Sequence, residues 1–162
     1  MKALPERLAM SASFDGEVTW HSLDWAEIQA SVRITQLKIA QATGDGNWRR
    51  VKRLQRMLTH SFHGRCLAVR RVTENRGQKT PGVDGETWGS PQAKLHAVKC
   101  LSKKRGYRPK PLRRIWIPKP GKQEKRPLGI PTMLDRAMQA LYLLALEPSI
   151  ESTSDPKSYG FR

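Results

Sequence analysis

Six of the 11 prolines in this 162-residue chain fall between Pro109 and Pro131. Each fixes φ and removes a backbone N–H, so no helix can run through that stretch. What remains is extended structure with exposed edges. Leu112-Arg-Arg-Ile-Trp-Ile117 alternates and is rich in β-formers, which predicts a strand. Ile115 and Ile117 share one face; Arg114 and Trp116 share the other. Pro120-Gly121 begins a turn, Lys122 to Lys125 form a charged tip, and Pro127-Leu-Gly-Ile130 returns as a second strand. The proline cluster therefore predicts a β-hairpin.

The flanking sequence has helical period. Asp24, with Glu27 three positions on, caps a first helix that carries Trp25, Ile28, Val32 and Ile39 on one stripe and stops at Gly44-Asp-Gly46. Asn47 caps a second. Its stripe of Val51, Leu54, Leu58, Phe62, Cys66 and Val69 predicts one continuous helix up to Asn75-Arg-Gly77. A short glycine turn between the two suggests an antiparallel pair. Lys79-Thr-Pro-Gly-Val-Asp-Gly85 reads as a loop, and Ser90-Pro91 as a cap with proline in the first helical position. Leu95, Val98 and Leu101 give a short helix. After the hairpin, Thr132 caps a last helix with Leu134, Met138, Leu141 and Ala145 on one face, and Pro148 is expected beyond its end. The expected fold class is α+β: helices, then a hairpin. Residues 1–22 lack periodicity and read as a loose leader.

Charge narrows the function. The formal net charge is +16, and residues 49–126 alone hold 23 basic against 4 acidic residues. Self-repulsion at this density opposes compaction, and a polyanionic partner relieves it. A merely basic surface or a disordered basic linker is the plain alternative. Regularly spaced aromatic and aliphatic residues argue against it. The basic hairpin suits phosphate contact, because a β-hairpin holds cations at fixed positions. Trp116 beside Arg114 has two readings, stacking on a base or covering the core.

Other classes are disfavoured. The longest apolar run, Ala140 to Leu146, is too short to cross a bilayer. The first residues show no signal peptide. Two distant cysteines, Cys66 and Cys100, speak against a disulfide scaffold and for a reducing, cytosolic setting rather than secretion. His60, His63 and Cys66 are spaced by three, but Cys66 lies on the buried stripe with no carboxylate nearby, so a structural role is expected and no metal site. No serine sits in a nucleophile motif, and neither glycine turn has the pattern of a phosphate-binding loop. The residues alone predict a polyanion binder with no catalytic centre of its own.

Three strings sharpen this reading: Thr80-Pro-Gly-Val-Asp-Gly85, Tyr107-Arg-Pro-Lys-Pro-Leu-Arg-Arg-Ile-Trp-Ile-Pro-Lys-Pro-Gly121, and Arg126-Pro-Leu-Gly-Ile-Pro-Thr-Met-Leu-Asp-Arg-Ala-Met-Gln139. With Ser158-Tyr-Gly-Phe-Arg162, the chain from about residue 20 resembles the N-terminal part of a group II intron-encoded reverse transcriptase and maturase. Each string is weak alone; together they are specific.

The resemblance implies a helical, basic N-terminal extension over residues 23–106. It implies the fingers of a right-hand polymerase, incomplete, over 107–162. Asn75, Gly77, Gly82, Val83 and Asp84 match a loop that lies against the template, and the hairpin residues Arg113, Arg114 and Trp116 belong with them as RNA contacts. Lys119 and Arg126 match basic residues that meet the incoming triphosphate, with Lys122 and Lys125 as competitors. Arg49, Arg50, Arg53, Arg56, Arg65, Arg70 and Arg71 fit a surface for intron RNA. Arg136 and Gln139 fall in the fingers-to-palm region.

The implied partners are group II intron RNA, with template RNA and a DNA target for the full protein, in a bacterial-type cytoplasm or an organelle. Magnesium ions serve the complete enzyme, held by palm carboxylates that include a Tyr-x-Asp-Asp motif downstream of Gly-Phe-Arg. The chain stops before that motif, so the fragment is expected to bind RNA without polymerising and to hold no metal. The competing expectation is a stand-alone basic RNA-binding protein with no enzymatic activity.

Overall fold

A computed structural model describes residues 19–103 and 106–154. Most of the expected leader and the Ser158–Arg162 motif lie outside the described residues. A short 3-10 turn at Trp20–Ser22 leads into α1 (Trp25–Gly44), α2 (Trp48–His60), α3 (Phe62–Thr73) and α4 (Pro91–Cys100). The strands β1 (Arg113–Pro118) and β2 (Lys125–Ile130) form a two-stranded antiparallel sheet, and α5 (Met133–Thr153) follows. The described part is mostly helical with one small sheet, consistent with the α+β expectation.

Local chemistry sets most boundaries. Asp24, Asn47, Ser61, Ser90 and Thr132 each accept a hydrogen bond at their side chain from the backbone N–H three residues on, satisfying a donor that the first helical turn leaves free. Pro91 occupies the first turn of α4, where its missing N–H costs nothing.

The long helix α5 organises the rest, for α1, α2 and α3 all pack along it. It joins two apolar clusters. Met133, Met138 and Leu141 meet Cys66, Val69, Val98 and Leu101 in one, and Ala145 meets Val32, Ile39, Val51 and Leu58 in the other. Trp20 is buried against the first cluster, so packing begins before the end of the leader expected at 1–22.

Two expectations are corrected. The single helix predicted from Asn47 to residue 74 is broken at Ser61, whose φ of −71° and ψ of 148° are extended. Ser61 Oγ donates to the Leu58 carbonyl at 2.8 Å and accepts from Gly64 N–H at 2.9 Å, so one residue closes α2 and opens α3. Gly64 permits the corner, because a β-carbon there would lie 2.6 Å from the Leu58 carbonyl oxygen. Phe62, placed on the apolar stripe by spacing, is turned out to solvent.

Pro148, expected beyond the last helix, lies inside α5. A proline there strips the carbonyl four residues back, that of Leu144, of its helical donor. The Gln36 side chain supplies one at 2.9 Å.

The hairpin register pairs Arg113 with Ile130, Ile115 with Leu128, Trp116 with Pro127, and Ile117 with Arg126. Lys119 N–H donates to the Glu124 carbonyl at 3.1 Å, extending the ladder by one pair. Hydrogen-bonded pairs alternate in an antiparallel ladder, so the pairs holding Pro118 and Pro127 are the ones that need no N–H. Lys119 to Lys122 close the tip, with Pro120 followed by Gly121 at φ 70°, the sequence a type II turn requires.

Candidate nucleic-acid interface

Residues 74–90 connect α3 to α4 without helix or strand and fold back on the first turn of α5. Arg136 donates through Nη1 to the Gly77 carbonyl at 3.0 Å and through Nη2 to the Thr80 carbonyl. Arg113, at the base of the hairpin, donates to the Pro81 carbonyl at 3.2 Å. Gly82 then passes so close to Thr132 that a β-carbon would sit 2.6 Å from its Cα and 2.8 Å from its backbone nitrogen. Asn75 Oδ1 accepts from Gly77 N–H at 2.9 Å. Asp84 accepts from Glu86 N–H and from Lys110 Nζ, each at 3.3 Å. Thus Asn75, Gly77, Gly82 and Asp84, all template-contact candidates by sequence, hold the shape of the loop. Val83 and Lys79 face solvent.

The residue before Arg136 ties in the chain that enters the hairpin. Asp135 is buried. It accepts from the Tyr107 hydroxyl, from Thr132 Oγ1 at 2.7 Å and from Lys110 N–H at 3.3 Å. Burial pushes its carboxyl up, but these hydrogen bonds outweigh burial and hold it below the usual carboxylate value. Burial, the hydrogen bond and the charge of Asp135 all push the Tyr107 hydroxyl up. Burial also draws the Arg136 guanidinium down, against an upward pull from Asp84. Asp135, Tyr107 and Lys110 were not singled out by sequence, and Arg136 was assigned only to a region. The available signal was a Thr-x-x-Asp cap followed directly by arginine.

On the hairpin, the register puts Arg126 on the face of Ile115 and Ile117. The added Lys119–Glu124 pair puts Lys119 on that face too, one hydrogen-bonded pair nearer the tip. Diagonal neighbours of this kind stand roughly 7 Å apart at Cβ. Lys119 Nζ is paired with Glu124 at 2.8 Å. Among the described residues Arg126, Lys122 and Lys125 have no ion pair. Arg114 and Trp116 lie on the opposite face, and Trp116 is 58% exposed, so it does not cover the core.

The seven arginines read as an RNA surface divide. Arg49, Arg53 and Arg56 follow helical spacing on the side of α2 away from Val51, Leu54 and Leu58, with Arg50 beside them. Arg49, Arg50 and Arg53 border an open depression of about 400 Å³. Arg71 on α3 is exposed. Arg65 and Arg70 are half-buried and engaged within the protein. Arg65 donates to the Ser61 and Val98 carbonyls at 3.2 and 3.3 Å. Arg70 pairs with Glu74 at 3.0 Å and lies 4.6 Å from the Trp25 ring centre.

Cys66 is fully buried, and burial pushes its thiol up to about 11 against a smaller opposing effect of Arg65. His60 Nδ1 is 2.8 Å from the Arg56 carbonyl. Among the described residues no group of three His, Cys, Asp or Glu side chains could hold a metal. No helix among them is long and apolar enough to cross a membrane.

Residues 20–101 match the family described as the N-terminal domain of reverse transcriptase. The match takes in half of the chain, from Trp20 to Leu101, and the chain belongs to this family. Among its relatives is a group II intron-encoded protein. Protein YkfC of Escherichia coli K12 is 38% identical over 117 residues, 70% of this chain and 30% of YkfC. The group II intron-encoded protein LtrA of Lactococcus lactis subsp. cremoris is 33% identical over 97 residues, 59% of this chain and 16% of LtrA. The chain thus spans less than a third of the length of these relatives.

Proposed function

We propose that this chain is the RNA-binding part of a group II intron-encoded reverse transcriptase that also assists splicing as a maturase. The exposed arginines of α2, with Arg71, bind intron RNA. The outward side of the 77–85 loop meets the template. The hairpin acts as the fingers, with Lys119 and Arg126 meeting the triphosphate of the incoming nucleotide. Polymerisation requires carboxylate-bound magnesium supplied by other parts of the longer protein, which also engages the DNA target.

The observation that carries this reading is the placement of Lys119 and Arg126 on one face of an exposed hairpin. The base of that hairpin is tied through Arg113 to the loop at Pro81. A triphosphate needs two or more cations converging on one side, and the fork of arginine grips two oxygens at once. In the full-length enzyme, Arg126→Ala is expected to raise the KM for nucleotide while leaving RNA affinity within about twofold, the usual scale for one exposed cation among many. Equal losses in both would place Arg126 in a general RNA surface instead.

A further inference from the structure

We infer that Arg136 is the positioning residue of the 77–85 loop: it turns the loop carbonyls inward and leaves the opposite side free to meet an RNA backbone. This rests on the reading of that loop as a template contact. Three of the five carbonyls from Gly77 to Pro81 accept from arginines of the protein body, two from Arg136 and one from Arg113. A carbonyl oxygen carries partial negative charge, and three of them turned outward would repel phosphates. Held inward, they leave Gln78, Lys79, Val83 and Gly85 as the exposed surface.

Arg136 is suited to this role and unsuited to touching RNA itself. Its guanidinium is half-buried and both Nη groups are occupied by the loop. Bridging two carbonyls three residues apart takes a planar fork; a lysine ammonium is a point donor on a flexible stem. The fold does not depend on this bridge to place α5, whose first turn is capped by Thr132 and Asp135 and whose apolar side is packed along its length. The bridge therefore acts on the loop.

The test uses the full-length enzyme with Arg136→Ala, Arg136→Lys and the surface variant Lys79→Ala/Val83→Gly. Template KM, kcat and melting temperature are read for each, and Arg136→Ala is assayed with and without added ethylguanidinium. The expected result is a template KM raised about tenfold in Arg136→Ala, the scale of one charged hydrogen bond, because Arg113 still holds the loop at Pro81. Arg136→Lys should show a smaller rise, kcat should change little, and ethylguanidinium should recover the alanine variant. An unchanged template KM in Arg136→Ala, with a raised one in the surface variant, would overturn the positioning role and leave the template reading standing. No change in any variant would sink the template reading itself. A uniform loss with a lowered melting temperature and no rescue would make Arg136 merely structural.

Discussion

The Gln36 side-chain amide donates to the Leu144 carbonyl at 2.9 Å, and Leu144 is the residue that Pro148 leaves without a helical donor. A residue in the middle of α1 thereby repairs the defect in α5 and allows a 21-residue helix to run through proline. Leaving a half-buried acceptor unmet costs about 1–3 kcal/mol, so Gln36→Ala is expected to lose that much stability in urea denaturation. In a Pro148→Ala background the helix makes its own bond, and the loss should shrink to a few tenths of a kcal/mol. Additive losses across the four proteins would show that Gln36 acts elsewhere.

The pair Gly82 and Thr132 gives a second expectation. A β-carbon at position 82 meets backbone atoms of Thr132 at 2.6 and 2.8 Å, and backbone cannot rotate away. Gly82→Ala should destabilise by about 1–3 kcal/mol, as overpacking does. Gly89 has nothing within 4 Å of its β-carbon position and no positive φ. Gly89→Ala should fall within about 0.5 kcal/mol of the parent, or stabilise it by restricting the unfolded chain. Thermal melts of the two variants decide it, and a tolerated Gly82→Ala would contradict the close packing of loop on helix.

The Asp135 network makes stability depend on pH at both ends. The folded carboxyl titrates below its ordinary value of about 4, so its contribution is complete above that pH and is lost as pH falls through the lower folded value. The folded Tyr107 hydroxyl titrates above its ordinary value of about 10, so its contribution holds below pH 10 and is lost as pH rises beyond it. Asp135→Asn removes the charged acceptor and should cost about 1–3 kcal/mol at pH 7. The gap to the parent should narrow in acid, where the parent carboxyl is protonated too. A gap independent of pH between 2 and 7 would mean that the charge of Asp135 contributes nothing.

What could be read from sequence was local. The caps at Asp24, Asn47, Ser90 and Thr132 depend on a side chain and an N–H three residues away, and the hairpin on alternation and a Pro-Gly turn. The break at Ser61 escaped because Leu58 and Phe62 keep a spacing of four whether or not the helix bends. Only Ser61 with Gly64 marks the corner. The course of α5 through Pro148 rests on Gln36, 108 positions away in sequence. The Arg136 bridge spans 56 to 59 positions. The resemblance implies an RNA surface that includes Arg65 and Arg70, whereas Val98, Trp25 and Glu74, brought in by folding, engage them.

That division among the arginines yields the last expectation. If RNA contacts roughly 4–8 phosphates, log affinity should fall against log salt with a slope of about −3 to −7. Exposed Arg49, Arg53 and Arg56 have no ion pair among the described residues, so each is free to displace a counterion. Replacing any one by Gln should make the slope shallower by about 0.7–0.9 and leave the melting temperature nearly unchanged. Arg65 donates to two carbonyls that join the start of α3 to α4. Arg65→Gln should therefore lower the melting temperature and keep the slope. Filter binding across a salt series, with melts alongside, separates the two behaviours. A slope that flattens for Arg65→Gln but not for Arg53→Gln would reverse the assignment, and a flat response in the parent protein would remove electrostatics as the basis of binding.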